Sequence, residues 1–261
     1  MQFTCHRLSK IYRNLNATIE AVHDVSFRVE EGEFVCVIGS SGCGKTTLVK
    51  LIAGLLKPTS GYVHFDREPD TGRPRTALVF QEHGLFPWMT VVDNVAFGLQ
   101  MAGVERKARR ERAAAFLTRV GLGSCLDNYP HELSAGMRQR VNIARAFLVD
   151  PHTLLMDEPF ASLDALTKLA LQEELVRMWA DRRGSVVYVT HDIEEAVLLG
   201  DRVLVMSGGR GDSGRICEEI PIPLPRPRNL VARHQPEIRD LTWHIWSILE
   251  NEVRQRLSIP S

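Results

Sequence analysis

The chain has 261 residues, with 32 Lys plus Arg against 32 Asp plus Glu, so its formal net charge is zero. That balance argues against a nucleic-acid groove as the main surface, and no nucleic acid is expected as a partner. Three further absences narrow the class: no run of about 18 apolar residues to span a bilayer, no apolar signal-peptide core in residues 1–25, and no C-x-x-C spacing among Cys5, Cys36, Cys43, Cys125 and Cys217, so a reducing compartment is expected.

In chain order, alternation at Val22, Val25, Phe27 and Val29 predicts a strand, Glu31-Gly32 a turn, and Phe34 to Ile38 a buried strand. After GSSGCGKTT, the residues Leu48, Leu51, Ile52 and Leu55 have helical spacing, and Lys57-Pro58 should stop that helix. Gly61 to Phe65 reads as a short strand, 66–75 as loop, and Thr76 to Phe80 as a strand ending at Gln81. From about Trp88 to Val149 the pattern turns helical, at Val91 to Met101, Arg106 to Val120 and after Ser134. The basic run Gly103 to Arg112, interrupted by Glu105 and Glu111, reads as a solvated helix face. Strands resume at His152 to Met156, Ser185 to Thr190 and Arg202 to Ser207, with a helix at Leu166 to Arg182. PIPLPRPR, Pro221 to Arg228, reads as extended polyproline-like chain. Glu237 to Arg256 reads as an amphipathic helix with Ile238, Leu241, Ile245 and Leu249 on one face, and Trp243 and Trp246 are expected to pack on the domain.

The predicted fold is therefore α/β, with a mainly parallel sheet covered on both faces, an antiparallel β subsheet from the first strands, and an inserted α-helical subdomain. The expected division is a core of 1–87 and 150–228, a helical lobe of 88–149, and a C-terminal helix in 229–261.

Gly39-x4-Gly44-Lys45-Thr46 fits the phosphate-cradling pattern between a strand and a helix. Gly39, Ser40, Ser41, Gly42, Cys43, Gly44, Lys45, Thr46 and Thr47 would surround the phosphates of a nucleoside triphosphate. The glycines let backbone amides turn inward, and the helix start adds its dipole. Lys45 supplies the point charge and the Thr46 hydroxyl a ligand for Mg²⁺. Cys43, beside the phosphates, is expected to react with alkylating agents and to be protected by ATP. In LLMDEP, Asp157 emerges at a strand's carboxyl end and suits Mg²⁺ through water, while Glu158 is placed to polarise a water for attack on the γ-phosphate. As plain alternatives, the two are a solvated pair of acids.

HELSAGMRQRVNIARAFLVDPHTLLMDEPFASLD, read with the cradle, Gln81 and His191, strongly resembles the ATP-binding subunit of an ABC transporter, in order and spacing from Tyr12 to about Arg228. The resemblance implies a P-loop NTPase core of the ABC ATPase kind, with ATP and Mg²⁺ as ligands. It implies that Tyr12 stacks on adenine, and that Gln81 senses Mg²⁺ and γ-phosphate. It further implies that Ser134, Ala135 and Gly136 contact the γ-phosphate of ATP held by the opposite subunit. Asp164 would cross the dimer interface, and His191 would hold γ-phosphate and position water. Taken singly, these residues also admit plain readings: Gln81 as a polar strand end, Ser134 as a helix N-cap, His191 as a surface or cap residue. Ala135 and Met137 depart from the usual LSGGQ; Gly136 is kept.

Two chains would pair head to tail around two ATPs. GLFPWMTVVDNVAFGL, ELSAGMRQRV, VTHDIEEAVLLGDRVLVMS and EEIPIPLPRPR resemble importers of the nitrate, sulfonate and taurine type. This implies a peripheral subunit at the cytoplasmic face of the inner membrane, working with integral permease subunits and indirectly with a periplasmic or lipid-anchored solute-binding protein. The stretch Gln81 to Trp88 would dock the permease, a core role for Trp88 being the alternative. The other readings are a soluble ABC-type ATPase in a non-transport role, a P-loop small-molecule kinase, and a non-catalytic regulatory cassette.

Overall fold

The computed structural model describes residues 2–14, 17–66, 73–80, 84–182, 184–209, 212–226, 228 and 235–257. They divide into two compact units, Met1–Arg67 with Ser185–Ser261, and Glu68–Gly184.

The first unit is built on β1 (Phe3–Asn14), β2 (Ala17–Val29), β3 (Phe34–Gly39), β4 (Ser60–Phe65), β7 (Ser185–Thr190), β8 (Arg202–Gly209) and β9 (Asp212–Pro221). Their order across the sheet is β4-β1-β2-β9-β8-β3-β7. β3 runs parallel to β7, with Phe34 opposite Val186 and Ile38 opposite Thr190, and parallel to β8 on its other side. Every residue of β3 and β7 is buried. That matches their unbroken apolar runs, since parallel strands are covered on both faces. β1, β2 and β4 pair antiparallel and form the expected subsheet.

α1 (Lys45–Ile52) is shorter than its apolar spacing suggests. Gly54, at φ 72°, turns the chain left-handed, and Leu55 is exposed. Two further helices complete this unit: α6 (Ile193–Leu199) and α7 (Pro236–Leu257), which packs against α6 and buries Ile238 and Ile245. Trp243 and Trp246 are surface residues, more exposed than packing on the domain would leave them. They stack on each other, ring centroids 5.0 Å apart, and are 66% and 41% exposed.

The second unit holds the parallel pair β5 (Thr76–Val79) and β6 (Thr153–Asp157) together with α2 (Val91–Met101), α3 (Arg106–Arg119), α4 (Ala135–Leu148) and α5 (Ala165–Arg182). Each helix start has a local cause. Thr90 caps α2 by accepting from Asp93 N, Glu105 caps α3, and Ser134 caps α4 by accepting from Met137 N. The basic run on α3 is not wholly solvated, because Arg110 bridges to Asp93 on α2.

Candidate nucleotide site

The cradle leaves β3 at Gly39 and enters α1 at Lys45. Its backbone requires glycine at Gly44, which has φ 99° and where a Cβ would stand 2.3 Å from Ala21 O on β2. No side chain caps α1, and its first turn carries no acid. The positive end of that helix is therefore left for an outside anion. Lys45 is buried, and its Nζ donates to Gly39 O at 2.7 Å and Ser40 O at 3.1 Å, which folds the ammonium back into the loop. Ser41, Gly42 and Thr46 are exposed. The donor set thus fits the phosphates of a nucleotide: oriented amides, one compact cation and one hydroxyl.

Around the cradle, Tyr12 on β1 brings its hydroxyl to 3.5 Å from Thr47 Oγ1 of α1, with the Lys10 ammonium 5.5 Å from its ring centroid. This half-exposed ring stands beside the phosphate loop. His191 is exposed in the turn directly after β7.

In the second unit, β6 is buried along its length and ends at Asp157, itself buried. Glu158 follows with φ 46°, a left-handed conformation that costs a non-glycine residue on the order of 1–3 kcal/mol. Arg7, Asp24 and Asp150 share this conformation, so what distinguishes Glu158 is its place directly after the buried strand end. Ser134 to Gly136 open α4, and a Cβ on Gly136 would stand 2.7 Å from Thr167 Cγ2 of α5. Gly136 is therefore fixed by packing inside this chain as well as by any approach to phosphate. Asp164 caps α5 by accepting from Thr167 N at 3.0 Å. Hydrogen bonds from Thr167, first from its side chain and then from its backbone, hold the exposed carboxyl below its ordinary range. Among the described residues no group of three or more His, Cys, Asp or Glu could cage a metal. The Thr46 hydroxyl of the first unit and the Asp157 carboxylate of the second are each oxygen donors of the kind Mg²⁺ takes together with phosphates and water.

The sequence pattern of the ABC transporter family matches residues 22–161. The chain belongs to that family. It is 41% identical over 249 residues to the nitrate import ATP-binding protein NrtD of Synechocystis sp., covering 93% of this chain and 92% of that protein. It is 48% identical over 192 residues to the taurine import ATP-binding protein TauB of Yersinia pestis, covering 73% and 75%. The fold matches the dimeric post-hydrolysis state of the ATP-binding cassette MJ0796 bound to ADP and Pi, with a TM-score of 0.74, 30% identity, and 85% of this chain covering all of that one.

As an ABC ATPase, the chain carries the cradle, Tyr12 and His191 in its first unit and Asp157, Glu158, the signature and Asp164 in its second. Gln81, Glu82 and His83 lie outside the described residues. The loop that follows them is pinned by a residue the sequence did not single out. Asn94 on α2 is fully buried; its Nδ2 donates to Phe86 O, Met89 O and Thr90 O, and its Oδ1 accepts from Phe86 N at 2.8 Å. Arg145 adds a bond to Gly84 O and lies over the Phe86 ring. Trp88 on this loop is 70% exposed, so it is a surface residue and not part of the core.

The expectation for Cys43 is corrected. Its residue is 1% exposed, and its Sγ points at Gly39, where a Cβ would meet it at 2.7 Å. At that burial the residue offers an alkylating agent almost no surface. No helix among the described residues is long and apolar enough to cross a membrane.

Proposed function

We propose that the chain is the ATP-hydrolysing subunit of an importer for a small anionic solute, of the nitrate, sulfonate or taurine kind. The observation that carries the nucleotide part is the uncapped, acid-free start of α1 with Lys45 folded beneath it. Support for the solute class comes from the nitrate importer subunit NrtD and the taurine importer subunit TauB, to which the chain is similar.

In this reading Lys45 and the amides of Gly39 to Thr47 hold the triphosphate, and Tyr12 stacks on adenine. Thr46, Asp157 and Gln81 hold Mg²⁺, which when bound neutralises charge on the phosphate oxygens. Glu158, on a left-handed backbone directly after β6, takes a proton from the attacking water. His191 fixes the γ-phosphate and the water. A second copy of the chain supplies Ser134, Ala135, Gly136 and Asp164, so that closure on ATP and opening after hydrolysis drive the helical segment 88–149 against the permease subunits. The exposed Trp88, on a loop held by Asn94 and Arg145, supports a rigid docking surface there. The chain works from the cytoplasmic face of the inner membrane, and solute selection rests with the permease and its solute-binding protein.

The test is steady-state ATPase of the purified chain against Lys45→Ala. Hydrolysis by the wild type with loss in the variant is expected; equal rates would sink the enzyme reading. Copurification of the permease and binding protein, followed by solute-binding assays on the latter, identifies the solute.

A further inference from the structure

α6 has seven residues, a length at which a helix has little stability of its own. Buried side chains hold it at both ends. At its start, Asp192 Oδ1 accepts from Glu195 N at 3.1 Å, and Thr190 Oγ1 accepts from Asp192 N at 3.0 Å. The Glu195 carboxylate, buried on α6, accepts from the Tyr188 hydroxyl at 2.6 Å and from the Thr190 hydroxyl. The residues immediately before and after His191 are thus tied to the first turn of this helix.

At its other end α6 is gripped by the proline-arginine tail. Arg228, with a side chain 3% exposed, donates to Val197 O, Gly200 O, Ile222 O and Leu224 O. Arg226 donates to Leu199 O and, at 2.8 Å, to Asp201 Oδ1, while the other oxygen of Asp201 accepts from Phe34 N at the start of β3. Three of these acceptors, on Val197, Leu199 and Gly200, are carbonyls at or just beyond the end of α6, groups with no partner inside a helix. Positive charge there also favours the helix dipole. The cost of burying Arg228 is visible: burial, helped by Arg226, pushes its guanidinium down to about 10. Cys36 on β3 senses both ends of this arrangement. Burial and the Glu195 carboxylate push its thiol up, while Arg226 and Arg228 oppose that rise.

We infer that Arg226 and Arg228 are positioning residues for His191: the tail clamps the carboxyl end of α6 so that its amino end keeps the Thr190–Asp192 turn in one conformation. This rests on the proposed role of His191 at the γ-phosphate. The guanidinium is required for its geometry, since four carbonyls are met by one planar fork that an ammonium cannot reproduce.

The experiment compares Arg228→Ala, Arg228→Lys and His191→Ala, singly and with Arg228→Ala and His191→Ala combined, in the full chain. Rates are normalised to the number of nucleotide-binding sites, so that unfolded material does not count. Arg228→Ala should lower kcat by about 10- to 100-fold, the scale of an ångström-size misplacement. KM for ATP should stay within about twofold of the wild type, because the cradle is untouched. Arg228→Lys should restore little, and adding Arg228→Ala to His191→Ala should cause no further loss. An unchanged normalised kcat with a lowered Tm, or an additive double variant, would overturn the inference and leave the tail a structural staple. Amide hydrogen exchange at 190–199 reads the clamp without activity. It should accelerate in Arg228→Ala and in the milder Arg226→Ala, and unchanged exchange there overturns the inference. If the wild type matches Lys45→Ala in ATPase assays, the enzyme reading has failed, and the exchange result still decides the clamp.

Discussion

Gly214 on β9 touches no nucleotide group, yet it bears directly on the cradle. A Cβ there would lie 2.0 Å from Cys43 O and 2.7 Å from Ala21 O. Both obstacles are backbone atoms and cannot swing aside. A comfortable carbon-to-carbonyl-oxygen approach is about 3.3 Å, so Gly214→Ala forces the loop or the strand to move by roughly 1 Å. Overpacking of this kind costs about 1–3 kcal/mol of stability. A displacement of about 1 Å at a catalytic loop can cost up to about 100-fold in rate. We therefore expect Gly214→Ala to lower kcat/KM for ATP by about 10- to 100-fold and to weaken nucleotide affinity in titration calorimetry, with a lower urea midpoint. Gly54→Ala is the control. Gly54 has φ 72° but open space around its Cβ position, so only local strain of about 1–2 kcal/mol is expected, with nucleotide affinity unchanged. Wild-type affinity and midpoint in Gly214→Ala would refute the idea that β9 wedges the cradle in place.

Cys43 should react slowly with iodoacetamide whether or not ATP is present, and quickly in urea; rapid, ATP-sensitive modification of the native chain would contradict its inward orientation. Asn94→Ala should destabilise by about 1–3 kcal/mol in urea unfolding, because it removes the fully buried amide that accepts from Phe86 N and donates to Phe86 O, Met89 O and Thr90 O. Asp164 has a carboxyl lowered in the folded chain, so its contribution is present above the unfolded value of about 3.9 and is lost as pH falls through the lower folded value. The stability difference between wild type and Asp164→Asn should accordingly be flat at neutral pH and vanish in acid; a difference that grows on acidification would contradict the capping geometry.

The cradle was legible because phosphate chemistry fixes residue types at adjacent positions between a buried strand and a helix. β3, β7 and β6 were legible as unbroken apolar runs. β1 was not. Its pairing with β2 shifts register between Cys5 and Leu8 and again before Lys10 and Ile11, and Arg7 and Asp24 sit at φ 48° and 47°, which destroys a two-residue alternation. β9 was missed because one of its faces is largely solvated. The tail read only as extended chain, since the groups it serves are backbone carbonyls of Val197, Leu199 and Gly200, which have no side-chain signature. Asn94 escaped notice for the same reason. Trp243 and Trp246, three residues apart, share a face of α7, but the buried stripe passes beside them through Ile238 and Ile245.

In the proposed function, two copies of this chain enclose ATP and Glu158 drives its hydrolysis. Sedimentation of Glu158→Gln with and without Mg-free ATP tests it most directly. A monomer alone and a dimer at saturating ATP are expected, with dimerisation abolished by a bulky substitution at Gly136. A Glu158→Gln chain that stays monomeric at high concentration with ATP bound would contradict it.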